Sequence, residues 1–191
     1  MTKTTRDEAI IKPSADGIAA SVRATGKKGP PPVHLWHPPF CGDIDMRIAR
    51  DGTWFYLGTP IGRIELVRLF AGIIRREGDD YYLVTPVEKV GIKVDDAPFV
   101  AVDFESVPAG LEFVTNVGDR VLAGADHPIR VLRDPTSGEP RPYVHIRANL
   151  EALIDRKSFY RLVDIGEHAD GWFGVRSGGA FFPMIPSADL T

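Results

Sequence analysis

The chain has 191 residues, enough for one domain or two small ones, and its 43% hydrophobic and 26% charged residues exclude wholesale disorder. With 23 Lys+Arg against 26 Asp+Glu the formal charge is -3, which argues against a general nucleic-acid binder, and a single Cys implies no internal disulfide. No apolar run approaches the ~20 residues of a membrane helix, and Asp7 and Glu8 interrupt any signal core, so the expectation is a cytoplasmic protein with neither a membrane nor a nucleic-acid partner.

Residues 1–32 read as an N-terminal arm and Pro-rich connector. Ser14 is placed to cap a short helix whose Ala15, Ile18, Ala19 and Val22 share one face. Lys27-Lys28-Gly29-Pro30-Pro31-Pro32 then forces an extended stretch, because each Pro fixes its own φ and restricts the residue before it. An N-terminal α+β domain is expected over 33–96. Within it Met46–Arg50 and Thr53–Leu57 flank Asp51-Gly52, a hairpin turn that tolerates positive φ. A helix is expected from Arg63 to Glu77, with Ile64, Val67, Phe70, Ala71 and Ile74 inward and Gly78 closing it.

A C-terminal α+β domain is expected over 97–191. Val90, Ile92 and Val94 alternate with polar or small residues, as do Val100, Val102 and Phe104. Paired as a hairpin, Val94 would face Val100, Ile92 Val102, Val90 Phe104 and Lys89 Glu105, which matches apolar to apolar and opposite charges to each other. Further strands are expected around Leu111–Thr115, Arg120–Ala123, Ile129–Arg133 and Tyr143–Arg147. Met46-Arg47-Ile48-Ala49-Arg50-Asp51 also matches Ile129-Arg130-Val131-Leu132-Arg133-Asp134. Tyr56 then matches Tyr143, Ile64-Glu65 matches Leu150-Glu151, and Tyr81-Tyr82-Leu83-Val84 matches Tyr160-Arg161-Leu162-Val163. The pattern suggests a duplicated hairpin–helix–strand unit with a seam near residue 97; chance likeness of short αβ units is the alternative.

The stretch from Trp36-His37-Pro38-Pro39-Phe40-Cys41-Gly42 through Asp51-Gly52-Thr53-Trp54 resembles an uncharacterised bacterial family, domain of unknown function 1285. Gly58-Thr59-Pro60-Ile61-Gly62-Arg63 followed by Leu66-Val67-Arg68-Leu69-Phe70 carries the same resemblance. It implies an α+β fold of two related domains from an internal duplication, with the C-terminal half similar to an antiparallel pleckstrin-homology barrel. It also implies a nucleotide-like ligand held between the domains in signal transduction, and it brings no catalytic residues.

Gly58, Thr59, Gly62 and Arg63 join a strand to a helix start, where free amides and a guanidinium suit a phosphate; a plain helix-starting turn is the alternative. Alternation sets Tyr143, His145 and Arg147 on one strand face, and Trp54 and Tyr56 on another, as stacking and charge-clamp candidates against ordinary aromatic packing. His34, His37 and Cys41, with Asp43 nearby, have possible zinc-ligand chemistry but no paired Cys motif. Asp43 and Asp45 share a strand face as a possible carboxylate pair, while Asp103 and Glu105 find their simplest partners in Lys89 and Lys93. No cofactor and no metal are expected. The expected partner is a small anionic, nucleotide-type ligand in the interdomain cleft, bound without catalysis. A protein-interaction adaptor is the alternative, and a hydrolase using a carboxylate pair or metal comes third.

Overall fold

The computed structural model describes residues 12–26 and 29–190. Residues 1–11 of the arm and Lys27-Lys28 of the connector, like Thr191, lie outside the described residues. The arm's helix is α1 (Ala15–Ala24), capped by the Ser14 Oγ, which accepts from the Gly17 N–H, and burying Ala15, Ile18, Ala19 and Val22 as its spacing requires. These four side chains belong to the main core rather than to a separate appendage.

The first unit comprises β1 (Phe40–Ile48), β2 (Trp54–Tyr56), β3 (Thr59–Pro60), α2 (Ile64–Ala71), β4 (Ile74–Glu77), β5 (Asp80–Val84) and β6 (Lys89–Val94). Its sheet runs β3-β2-β1-β6-β5-β4. The β1–β2 hairpin pairs Met46 with Tyr56 and Ile48 with Trp54 around Asp51-Gly52. Gly52 sits at φ +87, and a Cβ there would stand 2.6 Å from the Asn116 amide of the second unit. Only glycine serves both the turn and that approach.

The second unit comprises β7 (Phe99–Val107), β8 (Gly110–Thr115), β9 (Arg120–Leu122), β10 (Ile129–Arg133), β11 (Pro140–Arg147) and β12 (Leu150–Ile154), in the order β10-β11-β12-β7-β8-β9. Then follow α3 (Arg156–Asp164) and a small sheet of β13 (Glu167–Ala169), β14 (Trp172–Ser177) and β15 (Ala180–Pro186). The two large sheets are wired alike. In each, two three-strand meanders meet so that the first and last strands lie side by side and parallel, β1 with β6 and β7 with β12. The chain is thus a two-domain α+β protein made mostly of sheet. Among the described residues no helix is long and apolar enough to cross a membrane.

Four local expectations are corrected. The helix expected over Arg63–Glu77 stops at Ala71 with Gly72 as its C-cap, and Ile74–Glu77 is a strand paired with β5, Ile74 facing Leu83. Ile74 fits either helical spacing or strand alternation, and the cross-strand pairing decides. Gly78 does adopt positive φ, but it turns a hairpin and does not close a helix. The β6–β7 hairpin does not form: β6 pairs with β5 and β1, and β7 with β8 and β12. Both strands have apolar faces that accept many neighbours, and the parallel partners that complete each sheet outcompete the adjacent one. Lys89 accordingly pairs with Glu77 at 3.0 Å, and Asp103 with Arg161.

The proposed repeat register also fails. β1 lies inside its sheet and β10 at an edge; Leu150-Glu151 begins a strand rather than a helix, and Tyr160–Val163 lies in α3. Short apolar-Arg alternations recur in any half-buried strand, so the match carried no topological information. Finally, the C-terminal half is not wholly antiparallel, because β7 and β12 run in the same direction.

Candidate functional site

A cleft of about 590 Å³ opens where the two units meet. Ala71 and Ile74 from the first unit and Val117, Val121, Ile146 and Leu150 from the second line it with buried aliphatic side chains. Arg68 on α2, Arg75 on β4, Arg120 on β9 and Arg147 at the end of β11 bring four guanidinium groups to the same space. Asp119 is the one carboxylate among the described lining residues, so arginine outnumbers carboxylate in the lining, although Glu77 and Glu112 beside it pair with two of the four guanidinium groups.

Arg147 is placed by the end of a helix. The last carbonyls of α2 lack intrahelical partners; Gly72 N–H takes the Arg68 carbonyl at 3.0 Å, and Arg147 donates to the Ala71 carbonyl at 2.8 Å. A cation at the negative end of the helix dipole is favourable. The same guanidinium donates to the Asp119 carboxylate at 2.6 Å and lies 4.8 Å from the Phe99 ring centre. Arg75 donates to the Trp36 carbonyl at 2.8 Å and pairs with Glu77 at 2.6 Å, and Arg120 pairs with Glu112 at 2.6 Å. Arg68 forms no ion pair among the described residues and faces the Gly118 turn, its Nε 3.7 Å from where a Cβ would stand. Asn149 ties the rim together by donating from Nδ2 to the Arg76 carbonyl at 3.2 Å.

Of the residues singled out from the sequence as ligand contacts, Arg147 alone lines this cleft; His34, weighed there as a zinc ligand, lines it too. Trp54 is 1% exposed and stacks on Phe70, ring centres 6.2 Å apart, so it offers no ligand a surface. Tyr56 packs against the core, its hydroxyl accepting from the Ala15 N–H at 3.4 Å. Tyr143 is 5% exposed, donates to Asp96 at 2.6 Å and lies under Arg130. His145 turns both ring nitrogens to backbone carbonyls, Asp126 at 2.9 Å and Ala148 at 2.5 Å, and holds two turns together. Gly58, Thr59, Gly62 and Arg63 are exposed at the N-terminal end of α2, whereas the cleft lies at its C-terminal end. Among the described residues no three His, Cys, Asp or Glu side chains converge as a metal would require, and the exposed Cys41 thiol donates to the Pro39 carbonyl at 3.4 Å.

The residues that sequence reasoning missed are Arg68, Arg75 and Arg120. On the expected long helix Arg68 and Arg75 fall on the face opposite Ile64, Val67, Phe70 and Ile74; in the structure Arg68 faces the Gly118 turn of the second unit and Arg75 lies on β4. The usable signal was composition: four arginines sit close to segment ends that the topology gathers.

A second polar cluster lies at the crossing between the units. Asp96 follows β6, and its side chain is 7% exposed. Tyr143 donates to its Oδ1, while Arg50 and Arg141 approach its Oδ2 to 3.3 and 3.2 Å as ion pairs. Burial, then the hydrogen bond to Asp96, pushes the Tyr143 phenol from the ordinary 10.0 up to about 12. A phenol whose folded value is raised contributes stability that is complete below pH 10 and is lost as pH rises toward 12. The stability of the protein should therefore decline across that window, and Tyr143→Phe should flatten the decline. Because burial also raises Tyr81, the variant's spectrophotometric titration assigns the late phenol; an unchanged titration would refute the assignment.

Fold and cleft together define a two-domain α+β protein with an arginine-rimmed junction. The chain belongs to the DUF1285 family: the model described as "Domain of unknown function (DUF1285), N-terminal domain" matches residues 31–97, and "Protein of unknown function (DUF1285), C-terminal domain" matches residues 98–184. A crystal structure of a DUF1285 family protein from Silicibacter pomeroyi DSS-3 is 66% identical, covering 93% of this chain and 99% of that one, with a TM-score of 0.85. Another from Shewanella baltica OS155 is 31% identical, covering 62% of this chain and 90% of that one, with a TM-score of 0.50. No curated protein matches the sequence.

Proposed function

We propose that this protein is a receptor for a small anionic ligand, held in the cleft between its two units, and that occupancy is read out as a signal. One observation carries the reading: four arginines drawn from both units reach one cleft that has a single carboxylate among its described lining residues. Guanidinium groups recognise carboxylates and phosphates by paired hydrogen bonds, and domain junctions are the usual place for such ligands. An anion gripped by Arg68 and Arg75 on one side and by Arg120 and Arg147 on the other would bridge the units. It would compete with Asp119 and the Ala71 carbonyl for Arg147 and so act on the angle between the units. The nucleotide form of this reading loses its intended stacking surface, since Trp54, Tyr56 and Tyr143 are packed elsewhere.

The test is a concentration-dependent rise in melting temperature with organic and inorganic anions. Arg68→Ala removes a guanidinium without breaking an internal ion pair. It should weaken binding about tenfold or more, the value of a hydrogen bond to a charged group, and leave the unliganded melting temperature unchanged. Wild-type affinity in that variant would place the anion elsewhere.

The duplication is retained as a proposal in a different register, β1 to β7 through β6 to β12. Its support is the shared strand order with one parallel pair in each sheet. The pleckstrin-homology likeness of the C-terminal half draws support from a six-stranded sheet backed by the following helix, α3.

A further inference from the structure

From the surface of this cleft, rather than its charge, we infer that the ligand's body is aliphatic: a carboxylate or phosphate head on a hydrocarbon chain, not a nucleobase. The inference rests on the anion reading above and adds the class of molecule that carries the anion.

Two features of the lining carry it. The first is what covers the floor. Ala71, Ile74, Val117, Val121, Ile146 and Leu150 come from three separate stretches of the chain, and all are at least nine-tenths buried, so they are fixed by core packing. They line the cavity together with Pro30 and Pro31 of the connector and Val33 just after it. The second is what is missing. No Trp, Tyr or Phe side chain is among the described residues lining the cleft, although the chain has 18 such residues in its 3 Trp, 5 Tyr and 10 Phe; the rings in the lining are the smaller imidazoles of His34 and His127, and His127 already lies against the His145 ring and carbonyl. A base is held by stacking on a ring and by hydrogen bonds to its edge. A hydrocarbon chain asks only for apolar area removed from water, which is what this floor supplies. On this reading the guanidinium groups of the lining meet the head, and its aliphatic side chains meet the tail. A volume of about 590 Å³ lies within the usual range for a whole small ligand.

Calorimetric titration of the full chain tests this with hexanoate, octanoate and decanoate, each below its micelle concentration and at one ionic strength. Butyl and octyl phosphate form a second arm that separates the two head groups, and AMP and inorganic phosphate form a third. The expected result is affinity rising roughly fourfold per added methylene in both alkyl series, the worth of burying one such group. Val121→Thr, which keeps the shape of the side chain and adds a hydroxyl to the floor, should flatten that gradient. Arg68→Ala should weaken every chain length by a similar factor. The melting curve of each unliganded variant establishes that it is folded.

A flat series, or AMP binding more tightly than decanoate and octyl phosphate, overturns the aliphatic inference; if that binding still falls in Arg68→Ala, the anion reading stands. A chain-length gradient that neither substitution alters puts the hydrocarbon outside the cleft and also overturns the inference. If none of these anions binds, both readings fall.

Discussion

Trp54→Ala should destabilise the protein by about 3–5 kcal/mol, the range for removing a large aromatic from a packed core. Trp54 is 1% exposed at the start of β2, where it pairs with Ile48 across the hairpin and stacks on Phe70 of α2, the ring planes 24° apart. Its removal empties the space between a sheet and its helix. The backbone there cannot collapse, because the Ile61 N–H donates to the Trp54 carbonyl at 2.8 Å and holds β2 to the turn before α2. Trp54→Phe should cost less than half as much, since it refills most of the volume and its ring can still lie on Phe70. Denaturant unfolding of the two variants checks this. A Trp54→Ala loss within about 0.5 kcal/mol, the scale of an exposed site, would mean that the indole is not part of the packed core.

Asp96→Ala should cost about 2–4 kcal/mol, somewhat less than the full penalty for orphaning a buried ion pair. The discount has a structural reason. Arg50 is 57% exposed and recovers its hydration, whereas Arg141 is 28% exposed, its Nε already has no partner among the described residues, and Tyr143 is enclosed. Asp96 is joined by Arg50 to the first unit and by Arg141 and Tyr143 to the second, so it joins the two beside the crossing chain. Asp96→Asn keeps an acceptor for the Tyr143 hydroxyl and should recover part of the loss. The Tyr143 phenol should titrate nearer its ordinary value in both variants, because each removes the carboxylate that disfavours a phenolate. Unfolding free energies and a phenol titration on the same samples test both statements. A variant that loses stability with no change in the titration would leave the cluster as packing alone.

Much of the local structure was legible. Ser14 and the spacing of Ala15, Ile18, Ala19 and Val22 marked α1, and Asp51-Gly52 marked the β1–β2 hairpin, because caps and turns depend on a few consecutive residues. The strands at Gly110–Thr115, Arg120–Leu122, Ile129–Arg133 and Pro140–Arg147 followed from alternation. Errors began where two local readings fitted the same residues. Ile74 satisfied a helix and a strand alike, and Val90–Val94 matched Val100–Phe104 as well as it matched its true neighbours. The site fared worse for a related reason. Aromatic residues on alternating faces suit a ligand surface and a core equally, and the structure encloses Trp54 and Tyr143. Arginine gives no periodic signal that separates a solvent face from a docking face, so Arg68 and Arg75 passed as solvent-facing.

The chain's own order of residues therefore determined α1, the β1–β2 hairpin, several strands, its family and two residues of the cleft, Arg147 and His34. Tertiary structure alone decided which strands pair beyond the β1–β2 hairpin, that each large sheet closes on a parallel pair, and that Arg68, Arg75, Arg120 and Arg147 line one cleft. The physical reason is range. Caps, turns and periodicity are settled within about a dozen residues by backbone sterics and hydrogen bonding, whereas strand partners and clefts are chosen among many near-equal contacts by the packing of the whole core.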